Sequence, residues 1–399
     1  MDSIRNIYRI GYGPSSTHTM APRRASETFR DKHPGVAAFR VTLYGSMAAT
    51  GKGHLTDTTI EQVFAGKKIE IVWKPEEVLS VHPNGLLFEA LDENGTVKDS
   101  WLTFSTGGGA LSDDADMNKE ISHANSMGMV MLEMEQTGMT FWEYIESVEG
   151  KEIWPFLEEV WKTMTESIER GLHAEGLLPG PLHVQRKASV YHSRATGFTG
   201  TLKKKTDLFS YALAVSEENA AGGKIVTAPT CGSCGTLPAL LFHIMTNYEM
   251  TELKVIRALA TAGLVGNIVR HNASISGAEV GCQGEIGTAC AMAAAAATQM
   301  FGGTPGQIEY AAEMGMEHHL GLTCDPVGGY VQIPCIERNA FAAARAQDAS
   351  AYAILSDGKH RISFDDVVRT MAVTGRDLSA KYRETSTGGL AKLMNKKRV

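Results

Sequence analysis

Long apolar runs are the first thing this sequence lacks: no stretch approaches the ~18 consecutive apolar residues of a membrane-spanning helix. The opening, MDSIRNIYRIGYG, has no apolar core of signal-peptide length either, so the expectation is a cytosolic protein with no membrane partner. Positive charge is also in short supply. Against 45 Asp and Glu stand 38 Lys and Arg, and the net charge of -7 gives no electrostatic reason to expect a nucleic acid or an anionic membrane as partner. Small molecules are the expected partners. Cysteine is scarce, six in 399 residues, which argues against a disulfide framework and leaves packing, metal binding or catalysis as uses for the thiols. No internal repeat and no long low-complexity linker is present.

What is there is ordinary globular material, 43% apolar and 21% charged, long enough for two or three domains. The first third alternates in kind. VAAFRVTLYG (36–45), KKIEIVWK (67–74), GLLFEALD (85–92) and TVKDSWLTFS (96–105) read as strands, with Ile69, Ile71 and Trp73 placed at period two. Asn94-Gly95 predicts a hairpin between the last two, with both residues at positive φ. Helices are expected near 21–32, 56–65 and 118–137, which makes this region an α+β domain. From Pro155 onward the strand signal disappears. A helix beginning at Pro155 has Leu157, Val160, Trp161, Met164, Ile168 and Leu172 on one face and Gly176 beyond its end. Others follow at 207–220, 236–249, 251–271, 285–300, 305–316, 336–356 and 364–374, so the second domain reads as all-α, joined to the first near 140–155. The helix at 285–300, EIGTACAMAAAAATQM, is small and apolar nearly all round and suits the centre of a bundle.

Cys324 and Cys335 sit in the Gly/Pro loop TCDPVGGYVQIPC, and Cys282 lies in the Gly-rich turn SGAEVGCQGEIG. Loops can aim three sulfurs at one point, whereas a straight helix spreads them around its surface. Spacing alone leaves two readings open, a metal centre and three packed cysteines.

HNASISGAEVGCQGEIG (271–287) followed by MEHHLGLTCDPVGGYVQIPCIERN (316–339) resembles the alpha region of the iron-sulfur-dependent L-serine dehydratases. GYGPSSTHTMAP (11–22) and GSMAATGKGHLTD (45–57) resemble the beta region of the same family, and IERGLHAEGLLPG and the tail TSTGGLA extend the similarity over nearly the whole chain. The resemblance implies a fused chain, with a beta domain at 1–145, an all-helical alpha domain carrying the iron-sulfur site at 146–399, and no room for an additional regulatory domain. It implies a 4Fe-4S cluster held by Cys282, Cys324 and Cys335, no pyridoxal phosphate, L-serine as substrate with pyruvate and ammonia as products, and a homodimer. An iron without a protein ligand would act as a Lewis acid on the departing hydroxyl.

A base must reach the Cα proton. His54 matches the family's histidine in GKGHLTD, although Leu55 stands where a glycine is expected; His18 is the second candidate. Ser15, Ser16 and Thr17, at a helix start where N–H groups attract anions, are expected to bind the substrate carboxylate, and Thr19 to cap the helix. APTCGSCGTLPA (228–239) resembles a substrate loop of the family, which makes Thr230 a binding residue, but it carries Cys231 and Cys234 at positions where no cysteine is expected. These two read as pocket lining, with a redox pair or a sulfur near the cluster as the minor alternative. His271, Asn272, Ser274 and Ser276 are expected to line the pocket, and Cys290 to lie in the core. Rival readings fall in two classes: another hydro-lyase, acting for instance on threonine, and a non-enzymatic iron or redox sensor, against which stands the lack of a basic recognition helix. GSMAATGK is no phosphate loop, because five residues separate its glycines and Gly53 follows Lys52. His318 and His319 are adjacent and point to different faces of one helix, so they are a poor zinc pair.

Overall fold

A computed structural model describes residues 1–113, 120–385 and 388–396. Its strands are β1 (Ile10–Tyr12), β2 (Ala38–Tyr44), β3 (Lys68–Lys74), β4 (Gly85–Leu91), β5 (Val97–Gly107), β6 (Ala110–Leu111) and β7 (Lys224–Val226). The helices of the N-terminal part are α1 (Ala21–Lys32), α2 (Gly45–Thr50) and α3 (Thr56–Val63). Then come α4 (Met127–Thr137), α5 (Phe141–Glu149), α6 (Ile153–His173), α7 (Ala188–Ala195), α8 (Gly200–Ala220), α9 (Thr236–Asn247) and α10 (Glu252–Asn272). The chain continues through α11 (Gly277–Val280), α12 (Thr288–Met300), α13 (Pro305–Glu317), α14 (Cys335–Leu355), α15 (Phe364–Asp377) and α16 (Gly389–Lys396). No described helix is long and apolar enough to cross a membrane.

The N-terminal region is a five-stranded sheet in the order β3-β2-β4-β5-β6. β2 and β3 run parallel, joined through α2 and α3 as a parallel pair requires, and the remaining pairs are antiparallel. Phe29 of α1 packs on Phe88 of β4 with ring centroids 5.6 Å apart, at the middle of a core that also buries Val41, Leu43, Ile60 and Phe64. The hairpin at Asn94-Gly95 forms by a different turn from the one expected. Only Gly95 has positive φ, +80°, while the Asp92 carboxylate accepts from the N–H groups of Asn94 and Thr96. A three-residue loop ending in a left-handed glycine explains both facts, and the register of β4 and β5 shifts beside it.

The C-terminal region is largely helical, around α12. Every residue of α12 but Gln299 is buried, with α9, α10, α13 and α14 packed around it. Its alanines let neighbouring backbones come close. A Cβ on Gly315 of α13 would lie only 2.9 Å from the Ala291 backbone, so glycine is required there. Elements that the periodicity did not reveal are α2, α5, α7, α11, α16 and the short strands β1, β6 and β7. The strand β7 is the exception to an all-helical second region; it pairs antiparallel with β1, matching Ile10 to Val226. Residues Met1, Ile4, Ile7 and Tyr8 likewise lie in the helical core, with the Tyr8 hydroxyl donating to the Leu259 carbonyl at 2.8 Å. The chain start is thus fastened to the helical region before the sheet begins. The helix expected at 118–137 starts at Met127, and residues 118 and 119 lie outside the described residues; the one expected at 207–220 begins earlier, at Gly200.

Candidate active site

Three loops and the chain's tail converge where the sheet region meets the helices. The first loop leads into α1 through a wide turn, Ser16–Met20. Ser15 caps it, its Oγ accepting from the His18 N–H at 3.1 Å, and the Asn219 amide holds the Pro14 carbonyl at 3.0 Å. Thr19 does not cap the helix as expected, since Ser15 takes that place; its hydroxyl donates to the His54 carbonyl at 2.7 Å and accepts from the Ser15 N–H at 3.1 Å. The second loop, 227–235, is clamped by Asn339 of α14, which accepts from the Gly235 N–H at 3.0 Å and donates to the Gly232 carbonyl at 2.8 Å. The third is the loop from Thr323 to Cys335. Its Gly328-Gly329 pair adopts φ of 64° and 77°, and an added Cβ on Gly53 would meet the Gly329 carbonyl at 3.3 Å, so the turn carrying His54 packs directly on the cysteine loop.

The tail closes the site. The Cys324 N–H donates to the Tyr382 carbonyl and the Glu384 N–H to the Cys324 carbonyl, each at 2.8 Å, while the Leu390 N–H donates to Asp325. Ser386 and Thr387 of the tail motif lie outside the described residues. Two compartments result. A small one, about 30 Å³, has Ser15, Ser16, Thr17, Thr230, Cys324 and Cys335 in its wall together with Glu285 and Glu384. A larger one, about 260 Å³, shares Thr17, Gly107, Ser276 and Glu384 with it and adds His18 and His82. The small compartment has room for about one water, so a small amino acid requires the larger one as well.

Cys282 and Cys324 are buried, and their sulfurs lie within 4.8 Å of each other and of a Glu285 carboxylate oxygen. Cys335, half-buried at the first position of α14, lines the same small compartment as Cys324 but stands outside that close grouping. Cys282 is held below the ordinary thiol range by the hydrogen bond from Cys324, with the Arg338 guanidinium adding to the effect. Cys324 is pushed up by that same bond and by burial, and Cys335 by burial and the neighbouring charges. Arg338 is fixed by the Thr323 carbonyl at 2.6 Å and by Asp325 at 3.4 Å. Two buried thiols and a carboxylate within 4.8 Å of one another, with Cys335 lining the same compartment as Cys324 and a guanidinium beside them, are the donor chemistry of a thiolate-bound metal group, and the residues fit one. Cys231 and Cys234, also buried and with thiols pushed up by burial, are not part of this convergence, and Cys290 lies wholly in the core.

The two histidines form a contacting pair, with ring centroids 4.7 Å apart. His54 Nδ1 sits 3.1 Å from the Thr50 carbonyl and His18 Nε2 3.2 Å from the Ser46 carbonyl. A carbonyl only accepts, so these nitrogens carry the protons, and His54 Nε2 and His18 Nδ1 are left bare and without a partner among the described residues. Burial pushes His18 down to about 4; burial and the repulsion of His18 push His54 to about 3. Both rings are therefore neutral. His18 lies on the wall of the larger compartment, and His54 lies behind it, 1% exposed. Leu55 adopts φ of 58°, the left-handed conformation that a glycine at this position would take without strain.

Asn272 and Ser274 are not brought to either compartment. The Asn272 amide donates to the Asn125 and Ile268 carbonyls, and the Ser274 hydroxyl accepts from the Ser276 N–H. Glu285, Glu384, Arg338 and Asn339 were not anticipated. Glu285 stands three residues after Cys282, the one carboxylate at the head of an apolar helix, and that is the signal that could have found it. It accepts from the Thr230 hydroxyl at 2.7 Å, and burial raises its carboxyl above the usual range. Glu384, pushed to about 8 by burial and by Glu285 and Cys282, comes from the distant tail and has no local signal.

Comparison with known families completes the description. Residues 103–391 match the serine dehydratase alpha chain and residues 3–72 the serine dehydratase beta chain, leaving 73–102, with β4 and most of β5, between the two. The chain is 40% identical to the L-serine dehydratase of Haemophilus influenzae, with 98% of this chain and 99% of that one aligned. It is 38% identical to the L-serine dehydratase of Streptomyces coelicolor over 98% of both chains, and 34% identical to that of Helicobacter pylori over 98% of this chain and 99% of the relative.

Proposed function

Because this chain belongs to the serine dehydratase family, with beta and alpha regions in one polypeptide, we propose that it eliminates water from L-serine, giving pyruvate and ammonia, as an iron-sulfur-dependent lyase. The observation that carries the reading is the close approach of Cys282, Cys324 and Glu285, with Cys335 in the same compartment wall as Cys324, beside a row of hydroxyls at a helix start and a buried neutral histidine pair. Cys282, Cys324 and Cys335 would hold a 4Fe-4S cluster, which when bound supplies a Lewis acid that favours loss of the β-hydroxyl by several kcal/mol. The rest falls to side chains. Ser15, Ser16 and Thr17 orient the substrate carboxylate at the start of the turn leading into α1, where unused N–H groups favour an anion. Thr230, fixed by Glu285, borders the same space.

The histidine pair supplies the base. A bare nitrogen, His18 Nδ1 or His54 Nε2, accepts the Cα proton; His54 is the first choice by family position, and His18 is the ring on the wall of the larger compartment. Glu384 Oε holds a proton up to about pH 8 on the wall that both compartments share, available as the hydroxyl departs. The aminoacrylate so formed tautomerises to an imine and hydrolyses, which requires no pyridoxal phosphate. A homodimer is part of the proposal, and sedimentation equilibrium tests it. The decisive experiment is anaerobic purification with iron and sulfide analysis beside a serine-to-pyruvate assay. Full turnover in colourless, chelator-treated protein would overturn the reading.

A further inference from the structure

A cavity of about 590 Å³ lies between the outer faces of α13 and α14, and no residue of its wall lines the compartments at the cysteines. Glu309, Glu313 and Glu317 follow one another at four-residue spacing along α13 and share a face, an arrangement that destabilises a helix by like-charge repulsion. Glu309 is accounted for: its carboxylate holds the His360 ring at 2.7 Å and accepts from the Phe364 N–H at 2.6 Å, and His360 stacks on Tyr310 at 4.2 Å. Glu313 is not. It is only 4% exposed and lines the cavity, yet among the described residues no hydrogen bond or ion pair engages its carboxylate. Burial, with Glu317 and Glu309 nearby, pushes its carboxyl up to about 7. The residue is buried but its carboxylate opens onto the cavity, so a donor for it must come from whatever fills that space.

The surroundings say what donor fits. Tyr310 and Tyr352 meet edge to face at 6.1 Å in the cavity wall, aromatic surfaces that attract an organic cation. Arg345 and Arg361, both exposed, stand at the rim and form no salt bridge among the described residues. A bare metal ion is a poor match, since the one close grouping of metal-ligating side chains among the described residues is at Cys282, Glu285 and Cys324. The volume, too, is that of a small-molecule site. We propose that this cavity binds a small zwitterion of the amino-acid class, with its ammonium group donating to Glu313 and its carboxylate facing Arg345 and Arg361. The site is separate from the reaction centre but mechanically joined to it, because α14 begins at Cys335 and carries Arg338 and Asn339 upstream of Arg345 and Tyr352.

The test is hydrogen-exchange mass spectrometry on the full-length, cluster-containing enzyme, titrated with glycine, L-alanine, L-serine and ethylamine. Peptides covering 305–317 and 345–362 report the cavity, and the Glu313→Gln variant separates its occupancy from that of the reaction centre, which α14 also touches. Saturable protection of both by glycine or L-alanine supports the proposal and marks a general amino-acid site; protection by L-serine alone supports it when Glu313→Gln abolishes that protection with turnover unchanged, and marks the substrate as the ligand. Glu313→Gln should raise the apparent Kd by about tenfold or more, the loss of one charge-assisted hydrogen bond. The same variant should raise the ligand-free melting temperature, since it removes repulsion, and leave basal turnover unchanged. No local protection by any amino acid, equal protection in Glu313→Gln, or ethylamine binding as tightly as glycine would overturn the proposal. So would protection that follows protein concentration alone, which would mean that a second copy of the chain covers this face.

Discussion

Acidification reads the His18–His54 pair most directly. Each imidazole titrates near ~6.5 in an unfolded chain, but at about 4 and about 3 in the folded protein, where the rings are 4% and 1% exposed. The unfolded state therefore binds more protons between those limits, and stability falls as pH falls. The contribution is fully present above ~6.5 and is lost progressively as pH approaches ~4. At about pH 5 an unfolded ring is almost fully protonated and a native one is neutral, so each ring removes ~2 kcal/mol and the pair ~4 kcal/mol, against a total of ~5–15 kcal/mol for a typical protein. The figure for the pair is an upper bound, because part of the His54 shift comes from His18 and the two titrations are coupled. The assay is anaerobic urea unfolding of the native protein and the His18→Gln/His54→Gln double variant at about pH 7.5 and about pH 5. Every other acid-titrating group is common to both proteins and cancels in the difference. The native protein should lose ~3–4 kcal/mol more than the variant between the two conditions. Parallel losses would refute the claim that the pair is buried and neutral, and with it the claim that bare ring nitrogens are ready to accept a proton.

Cys324→Ala should lose cluster absorbance, bound iron and turnover together, whereas Cys290→Ala, in the core, should keep all three and cost ~1–2 kcal/mol of stability measured by thermal unfolding. Identical behaviour of the two would remove the ligand assignment. Ser16→Ala should raise KM for L-serine about fivefold with little change in kcat, one neutral hydrogen bond to the substrate carboxylate. Ser15→Ala should in addition lower stability by ~1 kcal/mol, because its hydroxyl caps the turn into α1. Gly315→Ala gains ~1 kcal/mol of helix propensity but places a Cβ 2.9 Å from Ala291; overpacking at ~1–3 kcal/mol wins, and the melting temperature should fall.

How much of this was legible depended on whether a residue's role is set by its neighbours in sequence or by its neighbours in space. The sheet strands and the long helices follow from periodicity, since one face must be apolar wherever an element packs, and α6, α12 and α14 lie close to where that pattern put them. Elements of eight or nine residues, such as α5 and α7, give too few repeats of the period to stand out from a loop. The pairing of β1 with β7 is beyond any local reading, because three residues at each end of a span of over two hundred carry no alternation.

The site divides along the same line. Cys324, Cys335 and Ser15 to Thr17 are legible as candidates because their loops are themselves the motif, with glycine and proline declaring such backbone in the sequence, and all five line one compartment. Asn272 and Ser274 were drawn in by closeness in sequence to Cys282, yet α10 ends there and the chain turns, so the Asn272 amide goes to Asn125 on another segment. Glu384 shows the converse. It sits about a hundred residues beyond Cys282, reaches the compartment wall only because the tail pairs with Cys324, and owes its raised pKa to burial that the tail itself completes. Arg338 lies one turn after Cys335, visible as a helical neighbour, but its bearing on Cys282 depends on the Thr323 carbonyl holding the guanidinium in place. In each case the residue type is ordinary and the chemistry comes from a second segment arriving beside it. Charged groups that act on a buried centre must therefore be sought among residues whose charge is unexplained by their own helix face.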